Sequence, residues 1–299
     1  MKTVLKWLGI LLVVLVVIGL LAGAGLFFTT NSDINKTYDV AVAPITLPTD
    51  AASIEEGARI ATIRGCNGCH TPDFGGGTFL NDPMLGVIET ANITPGEGSA
   101  VSGYTVEDWD RAVRHGINPE GKSLMIMPSY EFAGLSDEQF GQLIAYMQTV
   151  PAVDREHPDP KVGLLGRVLL VTGQLPFLPA ALVDQTAQAP ASVAPTASVE
   201  YGAYLSTACI GCHKPDFSGG PSPDAAPGDP PAANLTPAGP LSKWTMEEFK
   251  TVLRTGVSPE GRTLDPEVMP WMMTQHFTDT EIEALWLYLQ SIPPVVPKS

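Results

Sequence analysis

The sequence predicts an all-α protein: two tandem helical domains behind an N-terminal transmembrane helix. Three features point there. An apolar run opens the chain, a long internal repeat divides the rest, and the periodic segments of that repeat follow helical spacing without sustained period-2 alternation.

The first element is the run from Trp7 to Phe28, which carries no charge. As a helix it spans about 33 Å at about 1.5 Å per residue, enough for a hydrocarbon core of about 30 Å. Lys2 and Lys6 precede it and Asp33 follows. The positive-inside bias then puts the N-terminus in the cytoplasm. The remainder is expected on the periplasmic side of the cell membrane, as in a single-pass protein. Ala22-Gly23-Ala24 is an A-x-A-like site, so a cleaved signal peptide is the rival reading; the length of the run favours an uncleaved anchor. Residues 1–30 are read as the anchor and 31–50 as a linker.

The repeat predicts domains at 51–151 and 198–299. Cys66-Asn67-Gly68-Cys69-His70 returns as Cys209-Ile210-Gly211-Cys212-His213, at an offset of 143. Ala91-Asn92-Ile93-Thr94-Pro95 returns as Ala233-Asn234-Leu235-Thr236-Pro237, and Met127-Pro128 as Met269-Pro270. So long a period marks a duplicated domain rather than a solenoid. Helix starts recur as well. Ser53 with Glu56 is read as opening the helix that runs into the first cysteine pair. Thr105 with Asp108, Thr245 with Glu248, Ser136 with Gln139 and Thr278 with Glu281 stand at capping-box spacing. The last helix of each domain is amphipathic, with Phe140, Leu143, Ile144 and Met147 in one and Ile282, Leu285, Trp286 and Leu289 in the other. These helices stop before Pro151 and Pro293. Loops at 71–103 and 214–243 are long and irregular, and call for an apolar plate to pack against. The connection, 152–197, holds apolar stretches that a flexible tether would not need. It is expected to pack across one or both domains, or to meet a partner protein.

Each C-x-x-C-H is the attachment signature of a c-type haem: two cysteines for thioethers and a histidine for the iron. The two copies use all four cysteines of the chain. A zinc site needs about four ligands, and each copy offers three. A thioredoxin-type C-x-x-C wants a βαβ setting, which the pattern lacks. Two covalent haem c groups are therefore expected, on Cys66, Cys69 and His70 and on Cys209, Cys212 and His213. Methionine opposite histidine is an electron-transfer arrangement that raises the potential. Met127 and Met269 are the candidates, because position and following proline both recur. Met125 is the rival in the first domain, Met272 and Met273 are weaker ones in the second, and His115, His157 and His276 are the remaining histidines. Arg114 and Arg254 recur two residues before a glycine and are candidates for binding haem propionates, where a guanidinium pairs well with carboxylate. Their alternative is a solvated helix end.

On these residues the chain resembles membrane-anchored dihaem cytochromes c built from two class I domains. It is similar to the cytochrome subunits of bacterial alcohol and sugar dehydrogenases and of some respiratory complexes. The resemblance covers nearly all of 51–151 and 198–296. It rests on the C-x-x-C-H motifs, the Arg-x-Gly before Pro-Glu-Gly, the Met-Pro pairs and the aromatic-rich last helix. It implies that Met127 and Met269 stand in the distal ligand position. The stretch Gly121–Met127 is two residues shorter than Gly261–Met269, which leaves Met125 open.

Lys+Arg number 17 against 32 Asp+Glu, a net charge of −15. That balance argues against nucleic acid and against anionic lipid headgroups. The expected function is single-electron relay between a redox donor and an acceptor at the outer membrane face, in a respiratory chain or dehydrogenase complex. The chain is then an electron carrier rather than an enzyme. The alternative is a dihaem peroxidase, which needs one iron with an open sixth position.

Overall fold

Helix α1 (Lys2–Ile34) extends the apolar run at both ends, and Thr30 is its one buried residue. It is long and apolar enough to cross a membrane. The structure, a computed structural model, describes residues 2–175, 177–222 and 228–296. Positions 223–227 of the expected second loop and 297–299 of the second domain lie outside the described residues.

The first unit contains α2 (Ala51–Ile63), α3 (Cys66–Cys69), α4 (Val106–His115), α5 (Ser129–Phe132) and α6 (Asp137–Met147). The start of α2 differs from the Ser53–Glu56 expectation. Asp50 is the cap, and its carboxylate accepts the Ser53 N–H at 3.0 Å. That bond holds Asp50 below the usual carboxylate range. Glu56 turns to Arg59 instead, at 2.7 Å. Capping boxes form as read at Thr105–Asp108, Thr245–Glu248 and Thr278–Glu281.

The helical fold carries one small sheet. Strands β1 (Gly77–Asp82) and β2 (Gly86–Thr90) form an antiparallel hairpin, with a bulge between Thr78 and Leu80. Strand β3 (Lys161–Val162) pairs along β2. The bulge and the distant third strand are why no alternation marks this sheet in the sequence. The connection continues through α7 (Leu164–Val171) and packs on the first unit. Ile126 N–H donates to Phe177 O at 3.0 Å, and Asp137 N–H to Pro190 O at 2.9 Å.

The second unit contains α8 (Val199–Ser206), α9 (Ile210–His213), α10 (Met246–Thr255), α11 (Trp271–Thr274) and α12 (Asp279–Ser291). In each unit the helix before the motif crosses the last helix at a glycine. Gly57 faces the Gln142 carbonyl and Tyr146, and Gly202 faces the Ala284 carbonyl and Tyr288; a β-carbon at either would collide with backbone. Each crossing seats an aromatic and aliphatic core around Phe140 and Ile144 in one unit, and around Ile282 and Leu285 in the other.

The units meet with twofold-like exchange. Arg59, two residues after Gly57, donates to both oxygens of Glu281 at 2.8 Å. Tyr204, two residues after Gly202, donates its hydroxyl to Gln139 Oε1 at 2.6 Å. Gln139 and Glu281 are matched positions of the repeat, so each unit reaches the other's last helix at the same place, as an isologous interface requires. Gln139 therefore does not complete the capping box expected with Ser136. The Tyr204 oxygen accepts the Ser136 N–H in its stead, at 3.1 Å. Arg64 Nη1 donates to Thr207 Oγ1 at 2.9 Å. Each of those residues stands two before the first cysteine of its motif, so this bond links the roots of the two motifs.

Candidate haem centres

Gly65 adopts a left-handed φ of 74°, which ends the α2 turn and starts α3 with Cys66. One short turn then carries Cys66 and Cys69, and His70 follows as its cap. In the second unit a 3₁₀ turn at Thr207–Cys209 leads into α9, which ends on His213. None of the four cysteines is in a disulfide. Burial pushes the Cys66 and Cys209 thiols up to about 12.

Both histidines are oriented the same way. His70 Nδ1 lies 2.8 Å from the Ala91 carbonyl, and His213 Nδ1 lies 2.7 Å from the Ala233 carbonyl. A carbonyl oxygen only accepts, so Nδ1 carries the proton and Nε2 is the unprotonated nitrogen, the form that binds a metal. Burial depresses both imidazole pKa values, against a smaller upward pull from the carbonyl bond. The rings are thus neutral at neutral pH.

The repeat of Ala-Asn-x-Thr-Pro marks these loops in the sequence, but residue type does not reveal that the alanine carbonyls orient the histidines. The asparagine that follows holds them. Asn92 Oδ1 accepts the Thr94 N–H at 3.0 Å, and Asn234 Oδ1 accepts the Thr236 N–H at 2.9 Å. Their amides donate to Val153 O and Val295 O, both at 2.7 Å. The turn after each histidine is also matched. Thr71 and Lys214 have φ of 66° and 67°, and Phe74 and Phe217 both have 57°. Four non-glycine residues in the left-handed region, duplicated in register, are backbone strain of the kind that gathers at functional sites. Phe74 packs edge-on to Tyr146 at 6.0 Å and Phe217 to Tyr288 at 5.8 Å, which braces these turns on the last helices.

The Met-Pro pairs form the same turn. Pro128 has φ −80° and ψ 57°, and Pro270 has φ −76° and ψ 60°. Across them Ser129 N–H donates to Met127 O at 2.8 Å and Trp271 N–H to Met269 O at 2.7 Å, an inverse γ-turn in each case. Met127 and Met269 pack against the cores of their own units. The approach differs. Met269 N–H donates to Asp265 O at 2.9 Å, a helical turn, whereas Met127 N–H donates to Met125 O at 2.9 Å across Ile126. Ile126 has a φ of 69°, the rarer and strained γ-turn form, and a difficult one for a β-branched residue. The Met127-Pro128 turn thus has the form of the Met269-Pro270 turn although the loop before it is shorter.

Four of the other candidates stand as follows. Met273 lies against Gly65 of the first unit, and Met272 is half exposed. His115 Nδ1 meets Gln185 Oε1 at 2.9 Å, and both nitrogens of His157 are engaged, by Glu89 and the Gly75 carbonyl. Arg114 and Arg254, the propionate candidates, make these bonds within their own units. Arg114 is buried and spends its donors on Asp110 at 2.5 and 2.7 Å, Asp137 at 2.8 Å and Leu135 O at 3.0 Å. Arg254 donates to Gln275 O and to Asp279. Both tie their helix to the last helix of their own unit, a role the helix-end position in sequence does not reveal.

Each unit offers two cysteines three residues apart, an imidazole with a carbonyl-locked tautomer and a thioether on an apolar core. That donor set fits a covalent haem c.

The chain matches the family model for cytochrome c over residues 54–151 and 199–293. It is 30% identical over 283 residues to the cytochrome c subunit of a quinone alcohol dehydrogenase of Gluconacetobacter polyoxogenes, covering 83% of this chain and 58% of that protein. It is 30% identical over 282 residues to the fructose dehydrogenase cytochrome subunit of Gluconobacter japonicus, covering 83% and 55%. A diheme cytochrome c-type protein of Cereibacter sphaeroides is 26% identical over 267 residues, with 80% and 86% covered. The chain thus spans a little over half the length of the two dehydrogenase subunits. Both stretches of the family match fall on the two repeats, and the chain belongs to the cytochrome c family.

Proposed function

We propose that the chain carries two haem c groups and relays single electrons between redox partners at the outer face of a membrane, as the electron-transfer subunit of a dehydrogenase complex that feeds a respiratory chain. The observation that carries this reading is the duplication, in register, of the carbonyl-locked histidine and the Met-Pro inverse γ-turn. When bound, each haem supplies a one-electron ferrous/ferric couple. Cys66 and Cys69, and Cys209 and Cys212, tether it. His70 and His213 offer Nε2 to the iron, and the Ala91 and Ala233 carbonyls hold the rings in place. Met127 and Met269 would each offer the iron a thioether, a donor that raises the potential. A methionine candidate in each unit supports a carrier over a peroxidase. The Arg64–Thr207 bond supports passage between centres within one chain. Helix α1 would hold the relay at the membrane, with Lys2 and Lys6 on the cytoplasmic side. The dehydrogenase names of the relatives favour a dehydrogenase as donor.

A spectroscopic redox titration with haem quantification tests this. Two low-spin haems per chain with His/Met spectra are expected. Met127→Ala and Met269→Ala should each convert one haem to a ligand-accessible form, and Met125→Ala should leave both spectra unchanged. A resting high-spin haem, or a Met125→Ala variant that loses the first-unit spectrum, overturns the assignment.

A further inference from the structure

We propose that α7 and the hairpin tip beside it form a second membrane contact, lying in the outer leaflet next to α1. The proposal rests on reading α1 as a membrane anchor and adds a surface to it.

Helix α7 is Leu-Leu-Gly-Arg-Val-Leu-Leu-Val. Leu164, Leu165, Val168 and Val171 are between 40% and 60% exposed. Their spacing of i, i+1, i+4 and i+7 puts them on one face. The opposite side is the one seated on protein: Gly166 is buried against the Leu85 carbonyl, and Leu165 N–H donates to Met84 O at 2.9 Å. The polarity of a soluble surface helix is therefore reversed, with glycine inward and leucine and valine outward. Met84, at the β1–β2 turn beside α7, is 52% exposed and extends the same patch. A contiguous exposed apolar surface of this kind marks an interaction site.

The occupant follows from where α7 is docked. Arg167 donates to Thr30 Oγ1 and, at 3.1 Å, to Asn31 Oδ1 of α1, and its guanidinium lies 4.6 Å from the centre of the Phe27 ring. These residues are where the charge-free run of α1 gives way to Thr29-Thr30-Asn31. If that run fills the hydrocarbon core, α7 stands at the hydrocarbon–water boundary. The apolar face of α7 is then continuous with the exposed apolar side chains of α1. An arginine there keeps its charge at the boundary with its stem along apolar surface. Lipid acyl chains match a patch whose outward side chains are leucine, valine and methionine. Helices that lie in the interface plane bind through apolar area of this sort.

The test uses the full-length, haem-loaded protein in phosphatidylcholine vesicles that contain a phospholipid with a photoactivatable diazirine acyl chain. Cross-linked peptides are mapped by mass spectrometry. Label is expected on the α1 run and on 164–171, and not on the exposed Leu287 of α12. Leu165→Glu with Val168→Glu should lower label on 164–171 at least tenfold, while α1 labelling and the haem spectra stay unchanged. Label on α1 with none on 164–171 overturns the proposal and leaves the anchor standing. Absence of label on α1 removes the anchor reading and the proposal with it. In native membranes, cross-linking of this face to a polypeptide instead of lipid also overturns it.

Discussion

The two units hold the same donor set by different means. In the first, the connection wraps the fold, adding β3 to the hairpin and carbonyl acceptors to Ile126 and Asp137. In the second, Val295 meets Asn234 and Thr236 as Val153 of the connection meets Asn92 and Thr94 in the first. The arginine after the motif shows the same divergence. Arg114 has the buried Asp110 one turn back on α4, with side chains 5% and 4% exposed. The matching residue one turn before Arg254 is Lys250, and both cations share the exposed Asp279. The comparison teaches that duplication preserved the groups around the motif and left each unit to stabilise them separately.

The sharpest way to break that comparison is at the arginines. Arg114→Ala leaves Asp110 buried without its cation, and removing one partner of a buried pair costs about 3–5 kcal/mol. Arg254→Ala breaks a half-exposed pair, worth about 0–1 kcal/mol. Urea unfolding followed separately at each haem should show the first-unit transition moving far and the second hardly. Equal losses would mean that burial of Asp110 does not distinguish the units.

Next is the exchange between them. Tyr204→Phe removes the hydroxyl that serves both the Ser136 N–H and Gln139 Oε1, a loss of about 1–3 kcal/mol for groups left unpaired. Amide exchange at the start of α6 should quicken, although the altered residue lies in the other unit. Protection changing only around α8 would sink this coupling.

A smaller effect is expected with acid. Burial pushes the Glu281 carboxyl up, but Arg59 and the Thr278 N–H outweigh it and hold the group below its ordinary value. A depressed folded pKa means that its contribution is complete above the unfolded value of about 4.3 and fades as pH falls through the folded one. Stability should therefore drop more steeply with acid in the parent than in Glu281→Gln. Parallel slopes between about pH 3 and 5 would show that this pair does not report on the interface.

The smallest concerns tuning. Glu131 of α5 reaches Gly211 in the second motif, whereas Met273, its repeat counterpart, reaches Gly65 beside the first. Only the second centre has this carboxylate beside it, and nearby charge is one of the terms that set a potential. Glu131→Gln should raise one midpoint potential, by up to tenfold in the reduced-to-oxidised ratio, or about 59 mV for one electron. A shift of both potentials by the same amount would mean that the effect is not local.

Much of the site was legible because covalent attachment demands specific atoms at fixed local spacing. The C-x-x-C-H motifs, the Met-Pro pairs and three capping boxes all depend on residues a few positions apart. The misreadings share a cause as well. Asp50 displaced Ser53 as a cap because two good capping residues stood three apart and only the chain direction could choose between them. The pairing of Arg114 with Asp137 could not be read because Asp137, on another helix, is invisible from its neighbours. The Ala91 and Ala233 carbonyls were missed because a backbone oxygen leaves no trace in residue type.

By itself, then, the sequence determined that there are two units, which residues are the candidates for attachment and ligation in each, and that an apolar helix precedes them. Those properties follow from local periodicity and from the chemistry of side chains near in sequence. Tertiary structure alone decided the histidine tautomers, the recurrence of the Met-Pro turn despite a shorter loop, the burial of Arg114 and the exchange of Arg59 and Tyr204 between units. Each depends on groups tens to hundreds of residues apart, whose meeting is set by packing rather than by spacing.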